Sequence, residues 1–204
     1  MCLTAGQIYV CGSFHPNLYA IGKNVKVYVD HGAKNIMEQG SYLGVSGEFG
    51  PLKAYLLAKL LWNPEMTEEE YQYHINDFLE CYYGAGWTTV REIIDNVQKG
   101  ADEMGGHVDS FGENPYYGFE LEDIEKMKAD WAAARELASD DAQKLHFDRS
   151  YLAILMAERA YYFYNQMYDR TYPQKARDLL NEIAEIAKAL GAPHAEVDYA
   201  WSIG

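Results

Sequence analysis

Residues 47–64 read GEFGPLKAYLLAKLLWNP, and they constrain the chain more than any other stretch. From Leu52 to Trp62 the apolar residues Leu52, Tyr55, Leu56, Leu57, Ala58, Leu60, Leu61 and Trp62 leave room only for Lys53, Ala54 and Lys59. A helix that is apolar on nearly every side is a buried helix. Gly50 and Pro51 mark its start, because proline's fixed φ and missing N–H suit the first turn. Asn63-Pro64 marks its end, since proline disfavours helical geometry in the residue before it. At roughly 1.5 Å per residue the segment is under about 20 Å long, too short to cross a bilayer. It therefore reads as the central helix of a helical core.

Helical periodicity governs the chain on the C-terminal side of this segment. TEEE at 67–70 has the spacing of a capping box and opens a helix with Tyr71, Ile75, Phe78, Leu79 and Tyr82 on one face. A further helix is predicted from about Trp87 to Met104, through Val90, Ile93, Ile94, Val97 and Ala101. Residues 107–119, HVDSFGENPYYGF, read as a long loop and as the chain's best internal hinge. Leu121, Ile124, Met127 and Trp131 then form a stripe. Next, Ser139, Asp140 and Asp141 cap a helix expected over about 142–168. Thr171 with Gln174 repeats the capping-box spacing ahead of the stripe Ala176, Leu179, Leu180, Ile183, Ile186, Ala187 and Leu190.

Ahead of Gly50 the pattern differs. Residues 7–14, QIYVCGSF, predict a short strand, and Asn17 is placed to cap a helix carrying Leu18, Ile21, Val25, Tyr28 and Val29. Residues 35–40 are short enough for a second strand, so the order is strand, helix, strand, a βαβ unit of the kind found in parallel sheets. The expected organisation is a βαβ segment over 1–46 and an α-helical bundle over 47–204.

Charge narrows the function. With 31 acidic against 17 basic residues the formal net charge is -14, which argues against nucleic-acid binding, since phosphates need a basic face, and against anionic membrane surfaces. Neutral or cationic partners are favoured. Cys2, Cys11 and Cys81 are widely spaced with no C-x-x-C pair, so neither a disulfide framework nor a zinc ribbon is implied. The first five residues have no basic n-region, so this chain shows no signal peptide. The histidines are scattered with no H-E-x-x-H, and no phosphate-binding glycine motif or G-x-S-x-G occurs. No metal and no cofactor is expected.

Glu38 is the sharpest catalytic candidate. At the C-terminal end of a parallel barrel strand, Glu38 and Gln39 would lie on the face where TIM-barrel enzymes build their sites. A carboxylate there suits glycoside hydrolysis, which needs a second carboxyl group; no partner carboxylate is identified in this chain, and Glu48 is the nearest alternative. The plainer reading is that Glu38 caps a loop or binds a backbone amide, and that Glu48 complements a helix dipole. Tyr116 and Tyr117 are candidate substrate-binding rings, since tyrosine offers a flat face and a hydroxyl to a sugar and loops favour binding roles. The run Tyr161, Tyr162, Phe163 and Tyr164 reads as core or domain contact ahead of ligand stacking.

A resemblance joins these features. PNL at 16–18, NV at 24–25, DHGA at 30–33, EQG at 38–40 and LKAYLLAKLLWNP at 52–64, followed by FL at 78–79 and YYG at 82–84, resemble a family of large bacterial proteins carrying a domain of unknown function. In that family a glycoside-hydrolase-like TIM barrel precedes a helical domain, a layout similar to α-glucuronidases and β-hexosaminidases. The resemblance implies that residues 7–40 are the end of a barrel and that most of the barrel lies outside this chain. The fold expected is thus mainly α: a helical bundle preceded by a short βαβ remnant of a TIM barrel.

The implied function is the C-terminal helical region of a carbohydrate-active protein, inert by itself, which packs on the barrel, helps form a dimer or lines the rim of a sugar cleft. Its candidate partners are a carbohydrate and either the rest of the barrel or a second copy of the chain. The alternatives are a free-standing interaction or dimerisation module and a non-catalytic sugar-binding module. The compartment stays open, with a secreted or periplasmic parent as one expectation.

Overall fold

The structure is a computed structural model that describes residues 2–4, 13–39, 49–105 and 117–191. Along the chain run β1 (Cys2–Thr4), α1 (Leu18–Asp30), β2 (Met37–Gln39), α2 (Gly50–Trp62), α3 (Glu68–Tyr83), a 3-10 turn (Gly84–Gly86), α4 (Trp87–Glu103), α5 (Leu121–Arg135), α6 (Asp141–Tyr164) and α7 (Tyr172–Ala189). The protein is mainly helical, as its apolar periodicity predicts. Strands β1 and β2 pair in parallel, with Leu3 opposite Glu38 and Thr4 opposite Gln39. A remnant of a TIM barrel is not seen: what is described of the sheet is this one pair of three-residue strands. Of the strand expected over 7–14, residues 7–12 lie outside the described residues, and Ser13 and Phe14 are not in a strand. The expected boundary after residue 46 and most of the expected hinge loop also lie outside them.

One core joins α1 to the helices that follow. Val25 of α1, Leu56 of α2, Ile75 and Leu79 of α3, Val90 of α4, Ile124 of α5 and Ile154 of α6 are completely buried in a single cluster. At its centre Tyr83, Trp131 and Phe147 meet edge to face, with centroids 5.0 to 6.1 Å apart. Their polar ends are satisfied, Tyr83 Oη lying 2.6 Å from Ser150 Oγ and Trp131 Nε1 donating to Phe147 O. Gly86 is required here, because a Cβ would fall 2.5 Å from Ala134 O. A second, smaller cluster seats α7 on α6 through Leu152, Leu155, Met156, Leu179, Ile183 and Ala187.

Helix α2 is not central. It buries Leu52, Lys53, Leu56, Leu57 and Leu60, yet Ala54, Ala58, Leu61 and Trp62 are exposed, Trp62 at 92%. Composition tells that a helix tolerates burial, not how many neighbours reach it. The body is built on α3, which packs on α2, α4 and α6, and on α6, which packs on α3, α5 and α7.

Capping follows local chemistry where it is local. Thr67 and Glu70 form the full capping box of α3, and these hydrogen bonds hold the Glu70 carboxyl below the usual carboxylate range. Asp140 caps α6 by accepting from Gln143 N at 2.8 Å. Two expected caps are not formed. Asn17 makes no side-chain cap to α1. Thr171 is already in the right-handed helical region and gives its N–H and hydroxyl to Asp169, so it does not reach Gln174 N.

Candidate functional site

The segment Ser13, Phe14, His15 and Pro16 runs into α1 beneath the first turn of α2. Lys53 sits in that turn because the helix must bury this face, and its side chain comes with it, leaving the residue 2% exposed. Its ammonium donates to His15 O at 2.9 Å, a charge-assisted bond that fixes the chain entering α1. Tyr117 donates to the neighbouring Phe14 O at 3.0 Å, and Phe14 stacks on Phe49 with centroids 6.2 Å apart. Phe49 itself adopts the left-handed region, with φ 58, at the start of α2.

Between these groups and α4 lies a cavity of about 20 Å³ lined by His15, Lys53, Gln98 and the apolar Phe14, Ile94 and Val97. Two buried polar atoms of its lining residues, His15 Nδ1 and Gln98 Oε1, have no hydrogen-bond partner among the described residues. The space suffices for one water and excludes a sugar. Burial, and secondarily the Lys53 charge, push the His15 imidazole down to about 3, so it is neutral near pH 7. The arrangement is a clamp: a buried cation holds a backbone carbonyl while a neutral ring packs beside it.

A second opening of about 380 Å³ lies between α4 and α5, a size that accepts a small ligand. Ile93, Met127 and Phe119 form apolar lining, while Glu92, Lys99, Glu103, Asp123, Lys126 and Asp130 supply charge. The lysines are engaged, Lys126 with Asp130 at 2.5 Å and Lys99 with Glu103 at 3.7 Å. Asp123 accepts from Glu120 N at the start of α5.

Of the residues singled out in the sequence, Glu38 and Gln39 lie in β2, and their side chains, like Tyr116 and Glu48, are outside the described residues. Tyr117 lines the larger opening, but it is only 7% exposed and its hydroxyl is spent on Phe14 O. It packs as a core ring. No two of the four predicted site side chains are described together. Sequence reading missed Ser13, His15, Lys53 and Gln98. A signal for Lys53 existed: a helix buried on this face must bury its lysine too, and a buried ammonium requires an acceptor. Among the described residues no group of three or more His, Cys, Asp or Glu side chains is placed to hold a metal, and no helix is long and apolar enough to cross a membrane.

Residues 5–95 match the model of a family described as a domain of unknown function (DUF4838). This supports the resemblance read in the sequence at the level of that family, over somewhat less than half of the chain. The matched stretch runs through α1, β2, α2 and α3 into α4, so it contains Ser13, His15 and Lys53 and stops short of Tyr117 and of α5 to α7. No curated protein and no solved structure matches the chain.

Proposed function

We propose that this chain is the helical region of a carbohydrate-active, glycoside-hydrolase-like protein, catalytically inert by itself, which braces the strands that precede and follow α1. The observation that carries this reading is the buried bond from Lys53 to His15 O. It ties the segment leading into α1 to the helical body, as an accessory domain must do for a barrel end it supports. The matched family stretch spans both sides of that bond, which supports treating them as one unit. Glu38 is the one residue proposed to contribute to acid–base chemistry in a larger protein, with Gln39 beside it, and no cofactor is needed for that chemistry.

The test is hydrolysis of a mixed aryl-glycoside panel by this chain, by a version extended upstream, and by the extended version carrying Glu38→Gln. Activity in the extended protein that disappears with Glu38→Gln places Glu38 in the active site. Activity that survives the substitution makes the chain an accessory domain only. Absence of activity from all three overturns the carbohydrate reading.

A second reading rests on a different observation. The outer face of α2 presents Ala54, Ala58, Leu61 and Trp62 without a charged side chain among them, which suits an interaction or dimerisation module. Sedimentation of the chain against its Trp62→Ser variant distinguishes the two, because a module that associates through α2 loses mass on substitution and a purely intramolecular brace does not.

A further inference from the structure

The aromatic run at the end of α6, which neither reading above uses, closes on the start of α7. Tyr161 and Tyr162 face Tyr172, the first residue of α7, because only seven residues separate the two helices. The centroids of Tyr161 and Tyr162 are 6.1 Å apart, those of Tyr161 and Tyr172 6.1 Å, and those of Tyr162 and Tyr172 5.1 Å. The rings are inclined to one another by 58° to 79° rather than stacked, and the faces of Tyr162 and Tyr172 open as a two-walled cup, with Tyr161 packed against both. The Lys175 ammonium sits over two of them, 5.3 Å from the centroid of Tyr162 and 5.3 Å from that of Tyr172.

The surroundings reinforce the preference for a cation. Tyr161 donates its hydroxyl to Glu120 at 3.2 Å and Tyr162 to Glu158 at 3.3 Å, which orients the rings and enriches their faces in electron density. Glu125 acts on Tyr162, and Asp169 precedes α7 with Lys175 acting on it. Against Glu120, Glu125, Glu158 and Asp169 stand Lys128 and Lys175, and Lys128 is already bonded to Glu125 and Glu158. Burial and these carboxylates push the Tyr161 and Tyr162 phenols up to about 12, so both hydroxyls stay protonated donors.

We infer that Tyr162 and Tyr172, buttressed by Tyr161, form a binding site for an organic monocation of the alkylated-ammonium class, with Lys175 as its built-in occupant. Aromatic faces hold a cation through the ring quadrupole, and a cation whose N–H bonds are replaced by methyl groups gains more from such a cup because it leaves less hydration behind. Lys175 is a weak occupant. Its residue is exposed, and among the described residues its ammonium forms no ion pair within 4.0 Å, so a rotamer change vacates the cup. The site is independent of any glycosidase activity.

The experiment follows the tyrosine ring signals by NMR while tetramethylammonium chloride is added at constant ionic strength, with potassium chloride and the neutral 3,3-dimethyl-1-butanol, whose tert-butyl group has the shape of a trimethylammonium group, as controls. The expected result is a saturable shift of the Tyr161, Tyr162 and Tyr172 signals with tetramethylammonium and with neither control. In Lys175→Ala the same titration saturates at about 3- to 10-fold lower concentration, because the competing occupant is gone. Tyr172→Leu abolishes the shift while the far-UV spectrum stays helical. No saturable shift in either the native chain or Lys175→Ala overturns the site. Equal shifts with the neutral isostere overturn its cation selectivity, and an affinity unchanged or weakened in Lys175→Ala overturns the role of Lys175.

Discussion

Lys53 and Lys175 serve the same fold in opposite ways. Lys53 is enclosed beneath α2, with its ammonium on a backbone carbonyl, and Lys175 lies exposed on α7 over two tyrosine rings. The α1–α2 junction is held by buried polar bonds across long stretches of chain: Lys53 to His15 O, Tyr71 to Leu18 O at 2.6 Å and Tyr117 to Phe14 O. The α6–α7 hairpin is held by an apolar cluster with rings and charges at its rim. In the first region removing a donor strands a buried acceptor. In the second, water or a ligand takes the vacated place. The comparison separates a lysine that holds structure from one that is free to yield its position.

The strongest way to break the comparison is Lys53→Ala. Loss of the buried stem together with the donor to His15 O is expected to lower stability by about 3–5 kcal/mol, read from the urea midpoint. A loss under about 1 kcal/mol would mean that the junction does not depend on Lys53. The next effect is one of pH. His15 has its folded pKa depressed to about 3 from 6.5, so between those values the unfolded chain binds the extra proton and folding disfavours it. The His15 contribution is therefore fully present above pH 6.5 and is lost as pH falls toward 3, by up to about 1.4 kcal/mol per unit. Urea unfolding at pH 6.5 and pH 5 is expected to differ by about 1.6 kcal/mol more in the native chain than in His15→Gln. Equal differences would show that the ring is not held neutral by burial. The smallest effect is Lys175→Ala, expected to change stability by less than about 0.5 kcal/mol in the same assay. A change above about 2 kcal/mol would make Lys175 a structural residue like Lys53.

Features that depend on near neighbours in sequence were legible before the structure. The Thr67 and Glu70 capping box needs only the three-residue spacing and a free helix end. The stripe Leu121, Ile124, Met127 and Trp131 places its residues on the buried face of α5, although Leu121 at its edge stays half-buried. The same spacing at Thr171 misled, because Asp169 two residues earlier competes for the threonine and wins. For Tyr117 the loop context suggested an accessible ring, and the structure turns it inward to Phe14, 103 residues away in sequence. No local pattern carries information about such a partner.

What the sequence determined by itself is the helical class, the positions of most helices and the acidic balance of charge. Periodicity, capping and charge are properties of a few adjacent residues, and they act the same in any surroundings. What only the tertiary structure decided is which helix is surrounded, which lysine is buried and which rings meet. The face of α2 that carries Trp62 and the face that carries Lys53 look equally apolar in sequence. The difference arises from where α1, α3 and the residues before α1 pack, because burial is set by neighbours that the chain brings together only when it folds.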